Sequence, residues 1–226
     1  MPSLLSNKWI KVPVFLLCLV PLGILVWRAL TANLGANPVE FIQHATGDWT
    51  LRFLVLTLCI TPFRKLLKLP DLIRFRRTLG LFAFFYACLH FLTYLGPDQS
   101  FDLAAIWKDV YKRPFITVGF AAFVLLIPLA ITSTAGWIRR LGGRRWQILH
   151  RAIYISAICG VIHYYWLVKS AVLRPLTYGA IVAILLLWRL GDWVIRRRKA
   201  LVGARHAVPA HANEPPPPRL PAPPTH

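Results

Sequence analysis

Six stretches of this 226-residue chain are apolar over nearly the length needed to cross a bilayer, and that constrains the fold more than any other feature. A helix spanning the hydrocarbon core needs about 20 mostly apolar residues. Residues 12–30, 49–67, 79–95, 114–133, 150–167 and 172–190 qualify or nearly qualify. The second stretch is the weakest, with Arg52 and Arg64 near its ends and Pro62 inside it. Both arginines are read as close enough to the interface to snorkel, so the span is kept. The first stretch has some signal-peptide character, but Arg28 near its end and the lack of an A-x-A site predict a retained helix.

Composition agrees. Hydrophobic residues make up 57% of the chain and charged residues 15%, where a soluble domain carries about a quarter charged. The charge is one-sided, with 27 Lys and Arg against 8 Asp and Glu, a net +19. Such a balance raises nucleic acid as a partner. Here, however, the basic residues sit in short clusters between apolar runs, and a nucleic-acid surface would leave those runs unexplained. No nucleic-acid partner is expected; the partner is the lipid bilayer.

The clusters also give a direction. Lys8 and Lys11 precede the first stretch, six Lys and Arg (Arg64 to Arg77) lie between the second and third, Arg139, Arg140, Arg144 and Arg145 between the fourth and fifth, and Arg196 to Lys199 after the sixth. The alternate loops carry fewer: none from Thr31 to Asp48, then Lys108, Lys112 and Arg113, then Lys169 and Arg174. Trp9, Trp27, Trp49, Trp107, Trp137 and Trp193 near stretch ends suit interfacial belts. The expected fold is therefore an all-α integral membrane protein, a bundle of about six transmembrane helices with both termini cytoplasmic. In the outer loop 96–113, Leu103, Ile106, Trp107 and Val110 recur at helical spacing, which predicts a short amphipathic helix on the membrane surface. Residues 201–226, rich in Pro, Ala and His, are read as a disordered cytoplasmic tail.

The chemistry-bearing residues are few. Cys18, Cys59, Cys88 and Cys159 all lie in apolar stretches, form no CxxC pair and read as small buried hydrophobes. No carboxylate pair, Ser/His/Asp set or zinc spacing appears, so no catalytic residue is assigned. Three histidines fall within the apolar stretches, where a polar ring is costly and marks a site: His90, His150 and His163. His44 reads as a surface residue. His90 lies about 16 Å along its helix from the cytoplasmic side and His163 about 20 Å beyond His150, taking 1.5 Å per residue. The two are thus at similar depth in the outer half, where facing imidazoles can supply both axial positions of a haem iron. Phe82, Phe84, Phe85, Phe91, Tyr94, Tyr164, Tyr165 and Trp166 are available to pack around a porphyrin.

His150, at the cytoplasmic edge beside Arg145 and Arg151, has no matching inner histidine on the third stretch. On one continuous ideal helix it would also point about 140° away from His163. A lone axial ligand, a contact to a quinone or flavin headgroup, and a solvated histidine all remain open for it.

Residues 37–67 (NPVEFIQHATGDWTLRFLVLTLCITPFRKLL), 76–95 (RRTLGLFAFFYACLHFLTYL) and 131–168 (ITSTAGWIRRLGGRRWQILHRAIYISAICGVIHYYWLV) resemble the MsrQ (YedZ) family. Its members are haem-binding membrane subunits of the bacterial MsrPQ system, within the ferric-reductase-like transmembrane superfamily. The resemblance covers residues 8–200, so 1–200 is taken as the haem-binding domain. It implies an inner-membrane location and b-type haem, one or two per chain, bound through His90, His150 and His163. It also implies FMN in some members and electrons from the quinone pool or a flavin reductase. Those electrons go to a periplasmic molybdenum partner, MsrP, which repairs oxidised methionines in envelope proteins. With no glycine-rich nucleotide fingerprint after the sixth stretch, the donor is expected to be separate from this chain. Two other classes stay in view. A stand-alone quinol- or metal-reducing cytochrome is one. A His-dependent transporter is the other, disfavoured because the acidic residues Asp48 and Asp192 sit only at stretch ends and no repeat is evident.

Overall fold

The structure is a computed structural model describing residues 8–168 and 170–206, and every described element is helical. Among the described residues nine α-helices follow one another: α1 Lys11–Leu30, α2 Pro38–Leu66, α3 Ile73–Thr93, α4 Leu103–Lys112, α5 Pro114–Ile131, α6 Ala135–Leu141, α7 Gly143–Leu149, α8 Ala152–Leu167 and α9 Leu173–His206. The chain divides into two compact units, one through Leu187 and one from Trp188 onward. Of the stretch read as a Pro-rich tail, residues through 206 continue α9, and 207–226 lie outside the described residues.

Each of the six apolar stretches falls on a helix. Four helical segments are long and apolar enough to cross a membrane: Lys11–Leu30, Pro70–Asp98, Pro114–Ile131 and Leu173–Val202. The other two stretches fall short of that standard for local reasons. Helix α8 has 16 residues; α2 carries Asp48, Arg52, Arg64 and Lys65 along its length. Large apolar side chains stand exposed on α1 and on the first part of α9, including Leu16, Leu17, Ile184 and Leu187. Such a coat is costly in water and suits hydrocarbon.

Local chemistry sets the helix limits. Asn37 caps α2 by accepting from the Glu40 N–H, with Pro38 in the first turn. Asp102 caps α4 through two backbone N–H groups, at 2.9 and 3.1 Å, and Pro114 opens α5. Gly142, at φ +72°, separates α6 from α7 in a conformation that favours glycine. Inside α1, Pro21 has no N–H to give, and next to it the Tyr86 hydroxyl enters the ladder. It donates to the Cys18 carbonyl and accepts from the Leu22 N–H, both at 3.0 Å, a recognised way for a helix ladder to open.

Two antiparallel pairs form the centre, α2 with α3 and α5 with α8, and contacts of α3 with α5 and α2 with α8 join them. Small residues let the helices approach: Ala83, Ala157 and Ser156 are fully buried, and the Ser156 hydroxyl donates to the Ala122 carbonyl across the α5–α8 seam. Around them pack Phe53, Leu58, Phe82 and Tyr86.

Arg52 departs from its expected place. Because α2 starts at Pro38 rather than near Trp49, Arg52 lies in mid-helix instead of at an end. Its charge is met inside the fold, by Asp48 at 3.5 Å, the Tyr178 hydroxyl at 3.2 Å and the Trp49 ring at 4.6 Å.

Candidate functional site

Where the two central pairs meet at the α4 end of the bundle, they leave a cavity of about 640 Å³ lined by residues of α2, α3, α4, α5 and α8. Cofactor sites run from about 300 to 1,000 Å³. Helix α4, the amphipathic piece expected in the loop 96–113, turns Ile106 and Val110 into this cavity, while Leu103 and Tyr111 stay exposed.

Two of the three singled-out histidines meet in the cavity. The His90 and His163 ring centroids are 6.1 Å apart, with the planes at 80°. Each ring is anchored in the same way. His90 Nδ1 donates to the Gln43 carbonyl at 2.9 Å, and His163 Nδ1 donates to the Phe115 carbonyl at 2.7 Å. A carbonyl can only accept, so each Nδ1 carries the proton, and each neutral imidazole keeps its Nε2 lone pair for a metal. Two metal–nitrogen bonds of about 2 Å each, plus the ring radii, span about 6 Å, so the separation fits one metal ion between the rings.

Among the described residues no group of three or more His, Cys, Asp or Glu side chains gathers as a metal site. A metal held here by two imidazoles therefore needs its remaining ligands from elsewhere, and a tetrapyrrole supplies four in one plane. The walls agree. Phe91, Phe120, Phe123 and Leu126 are apolar, and Gly47 and Gly119 bring backbone close to the two rings. Two lining groups want a polar partner. Gln43 Oε1 is buried with none, and the Tyr94 hydroxyl has the Asp109 carboxylate nearby but no well-formed hydrogen bond. Buried polar atoms left this way are uncommon and point to a ligand with a polar edge.

His150 is not part of this cavity lining. It occupies the turn between α7 and α8, where its ring stacks on Trp146 at 3.9 Å and Nδ1 meets the Trp146 carbonyl at 3.1 Å. Trp146 is itself tied to the Thr132 carbonyl through Nε1 at 2.8 Å. His150 Nε2 is buried with no well-formed hydrogen bond, and the Leu129 carbonyl of α5 stands beside the ring. The angle worked out for a continuous helix does not apply, because α8 begins only at Ala152; the break at His150–Arg151 frees the two histidines from one helical phase. His44 sits half-exposed at the cavity rim, with Nε2 3.6 Å from Glu40.

Of the aromatics expected around a cofactor, Phe91, Tyr94 and Tyr164 line the cavity. Phe82 and Phe85 instead pack with Phe15, Phe53 and Tyr86 on another face of α3; Phe84 stacks on Phe123; Tyr165 and Trp166 are exposed. Sequence reading missed the anchoring carbonyls of Gln43 and Phe115 and the partner glycines. In each case a glycine stands four residues after the accepting carbonyl, within a helix where glycine costs about 1 kcal/mol relative to alanine; which carbonyl accepts is visible only in the fold.

A family profile described as ferric reductase like transmembrane component matches residues 46–161. Several curated proteins are similar over most of their length. The chain is 57% identical over 199 residues to a protein-methionine-sulfoxide reductase heme-binding subunit MsrQ of Herminiimonas arsenicoxydans, covering 87% of this chain and 91% of that one. It is 54% identical over 195 residues to the protein of that name from Azospira oryzae, covering 83% and 84%. For the one from Caulobacter vibrioides the identity is 49% over 196 residues, covering 87% and 92%. No solved structure matches.

Proposed function

The chain belongs to the MsrQ family of ferric-reductase-like transmembrane proteins, and from that premise we propose that it holds b-type haem and carries electrons across the bacterial inner membrane. The acceptor in this reading is a periplasmic molybdenum-dependent methionine sulfoxide reductase, MsrP, so that oxidised envelope proteins are repaired. The observation that carries the reading is the pair His90–His163, 6.1 Å apart, with both Nδ1 atoms taken by backbone carbonyls.

Haem, when bound, supplies a one-electron ferric/ferrous couple. His90 and His163 would hold it through Nε2. The Gln43 and Phe115 carbonyls keep the proton on each Nδ1 and make the opposite nitrogen a stronger donor. Phe91, Phe120, Phe123 and Leu126 exclude water, and the Tyr94 hydroxyl stands ready to donate to a carboxylate substituent. In this reading residues 1–200 form the haem-binding domain. Helices α1, α2, α3, α5, α8 and α9 are its six spans, with both termini cytoplasmic, so that the paired site lies toward the periplasm and His150 toward the cytoplasm.

His150 resembles the other two in having Nδ1 engaged by a carbonyl, with no well-formed hydrogen bond at Nε2. We assign it as the residue that would hold a second haem at the cytoplasmic side, the entry point for electrons from the quinone pool or a flavin reductase. FMN, held by some members, is kept as a further cofactor; flavin released on denaturation and read by fluorescence tests it.

An absorption spectrum of the purified protein, oxidised and dithionite-reduced, tests the core of the proposal. A Soret band is expected, and its absence after expression with ample haem would overturn the reading. Co-purification with a periplasmic molybdoprotein tests the partner.

A further inference from the structure

The two halves of the paired site are built alike, although nothing in the sequence marks them as a repeat. In α2 the carbonyl of Gln43 receives the His90 ring, and the residue four positions on is Gly47; in α5 the carbonyl of Phe115 receives the His163 ring, and the residue four positions on is Gly119. In an α-helix a carbonyl already bonds the N–H four residues later. An imidazole that shares that carbonyl must come in across that later residue. A Cβ on Gly47 would lie 3.1 Å from both Nδ1 and Cε1 of His90. One on Gly119 would lie 2.5 Å from Nδ1 and 2.8 Å from Cε1 of His163, inside any tolerable contact. Close approach is not confined to these two, but elsewhere the neighbour is apolar: a Cβ on Gly96 would lie 3.1 Å from the Phe101 ring and one on Gly179 3.3 Å from Val161, while one on Gly80, away from the cavity, would have Thr57 as its nearest neighbour, at 3.7 Å.

We propose that Gly47 and Gly119 are the positioning residues of the paired-histidine site, admitting each ring to a carbonyl one turn back and so setting the protonated nitrogen and the crossed ring planes. The inference rests on His90 and His163 being the haem ligands. With a side chain at either glycine the ring must swing away from its carbonyl. The ligand then loses the electron density that the Nδ1–H···O=C bond lends it, the ferric state is less favoured, and the midpoint potential rises. The angle between the rings changes as well.

The test uses the full-length, haem-loaded protein with Gly119→Ala, Gly47→Ala and Gly80→Ala. The readouts are haem content, midpoint potential and the EPR spectrum of the oxidised form. Rings crossed at 80° predict a highly anisotropic low-spin signal in the parent protein. Gly119→Ala is expected to change that signal, raise the potential and lose part of the haem. Gly47→Ala should shift both in the same direction by less, and Gly80→Ala should leave both as they were. If Gly119→Ala does not accumulate, Gly47→Ala decides. Parental spectra and potentials in Gly119→Ala and Gly47→Ala, or equal shifts in Gly80→Ala, would overturn the positioning role while leaving the ligand assignment standing. Retention of that haem in both His90→Ala and His163→Ala would instead overturn the ligand assignment itself.

Discussion

At the α4 end of the bundle two imidazoles from different helices face one another, each anchored to the backbone of a third and a fourth helix. At the end carrying α6 and α7, one imidazole stands in a turn, anchored to a carbonyl of its own segment and stacked on a tryptophan four residues before it. The first site is made by the tertiary fold: four helices must meet before any of it exists. The second is largely local, preassembled by the α7–α8 turn and tied to the bundle through Trp146 and the Thr132 carbonyl. A site of the first kind should be all-or-none and rigid. One of the second kind should be gradual, and more tolerant of losing a neighbour.

The largest effect that can break this contrast is at the paired site. His90→Ala and His163→Ala are each expected to abolish the same haem, so that reduced-minus-oxidised spectra of the two variants coincide. Loss from only one of them would end the idea of a shared site. Next comes His150→Ala, expected to halve the haem per chain measured as pyridine haemochrome while the EPR signal of the paired site persists. If the paired-site signal disappeared too, the two ends would not be independent. A smaller effect is expected from Trp146→Leu. It removes the stack on His150 and the bond to Thr132, together on the order of 1–3 kcal/mol, which sets a roughly five- to hundredfold weaker haem affinity at that end alone. Haem titration into the apoprotein reads it. The smallest concerns neither site. Tyr86→Phe withdraws the hydroxyl that bridges Cys18 and Leu22 in α1 and should cost on the order of 1 kcal/mol of stability. Thermal unfolding in detergent should register that loss, with both haem spectra unchanged.

Much of the architecture was legible because apolar stretches and helical periodicity are local properties. Every apolar stretch became a helix, and the Leu103–Val110 spacing became α4. The errors sit where helix ends depend on caps rather than on hydropathy. Asn37 and Pro38 start α2 well before its apolar part, which put Arg52 in mid-helix with Asp48 and Tyr178 as partners. The break at His150–Arg151 defeated a phase argument that assumed one continuous helix. At the site, counting residues along two helices was enough to set His90 and His163 level, since rise per residue is nearly constant. Choosing which aromatics surround them was not possible by counting, because a helix carrying Phe82, Phe84, Phe85 and Phe91 is aromatic on several faces.

By itself, then, the amino-acid sequence determined that this chain is helical, apolar and equipped with three costly histidines, because each of those is a sum over neighbouring residues. It also carried the family, through similarity spread over most of its length. Only the tertiary structure decided which histidines meet, at what angle, and through which nitrogen they are held. Those depend on carbonyls 47 and 48 positions away in the chain and on two glycines whose significance is the absence of an atom at a helix contact. A missing Cβ has no meaning until a second helix arrives to fill its place.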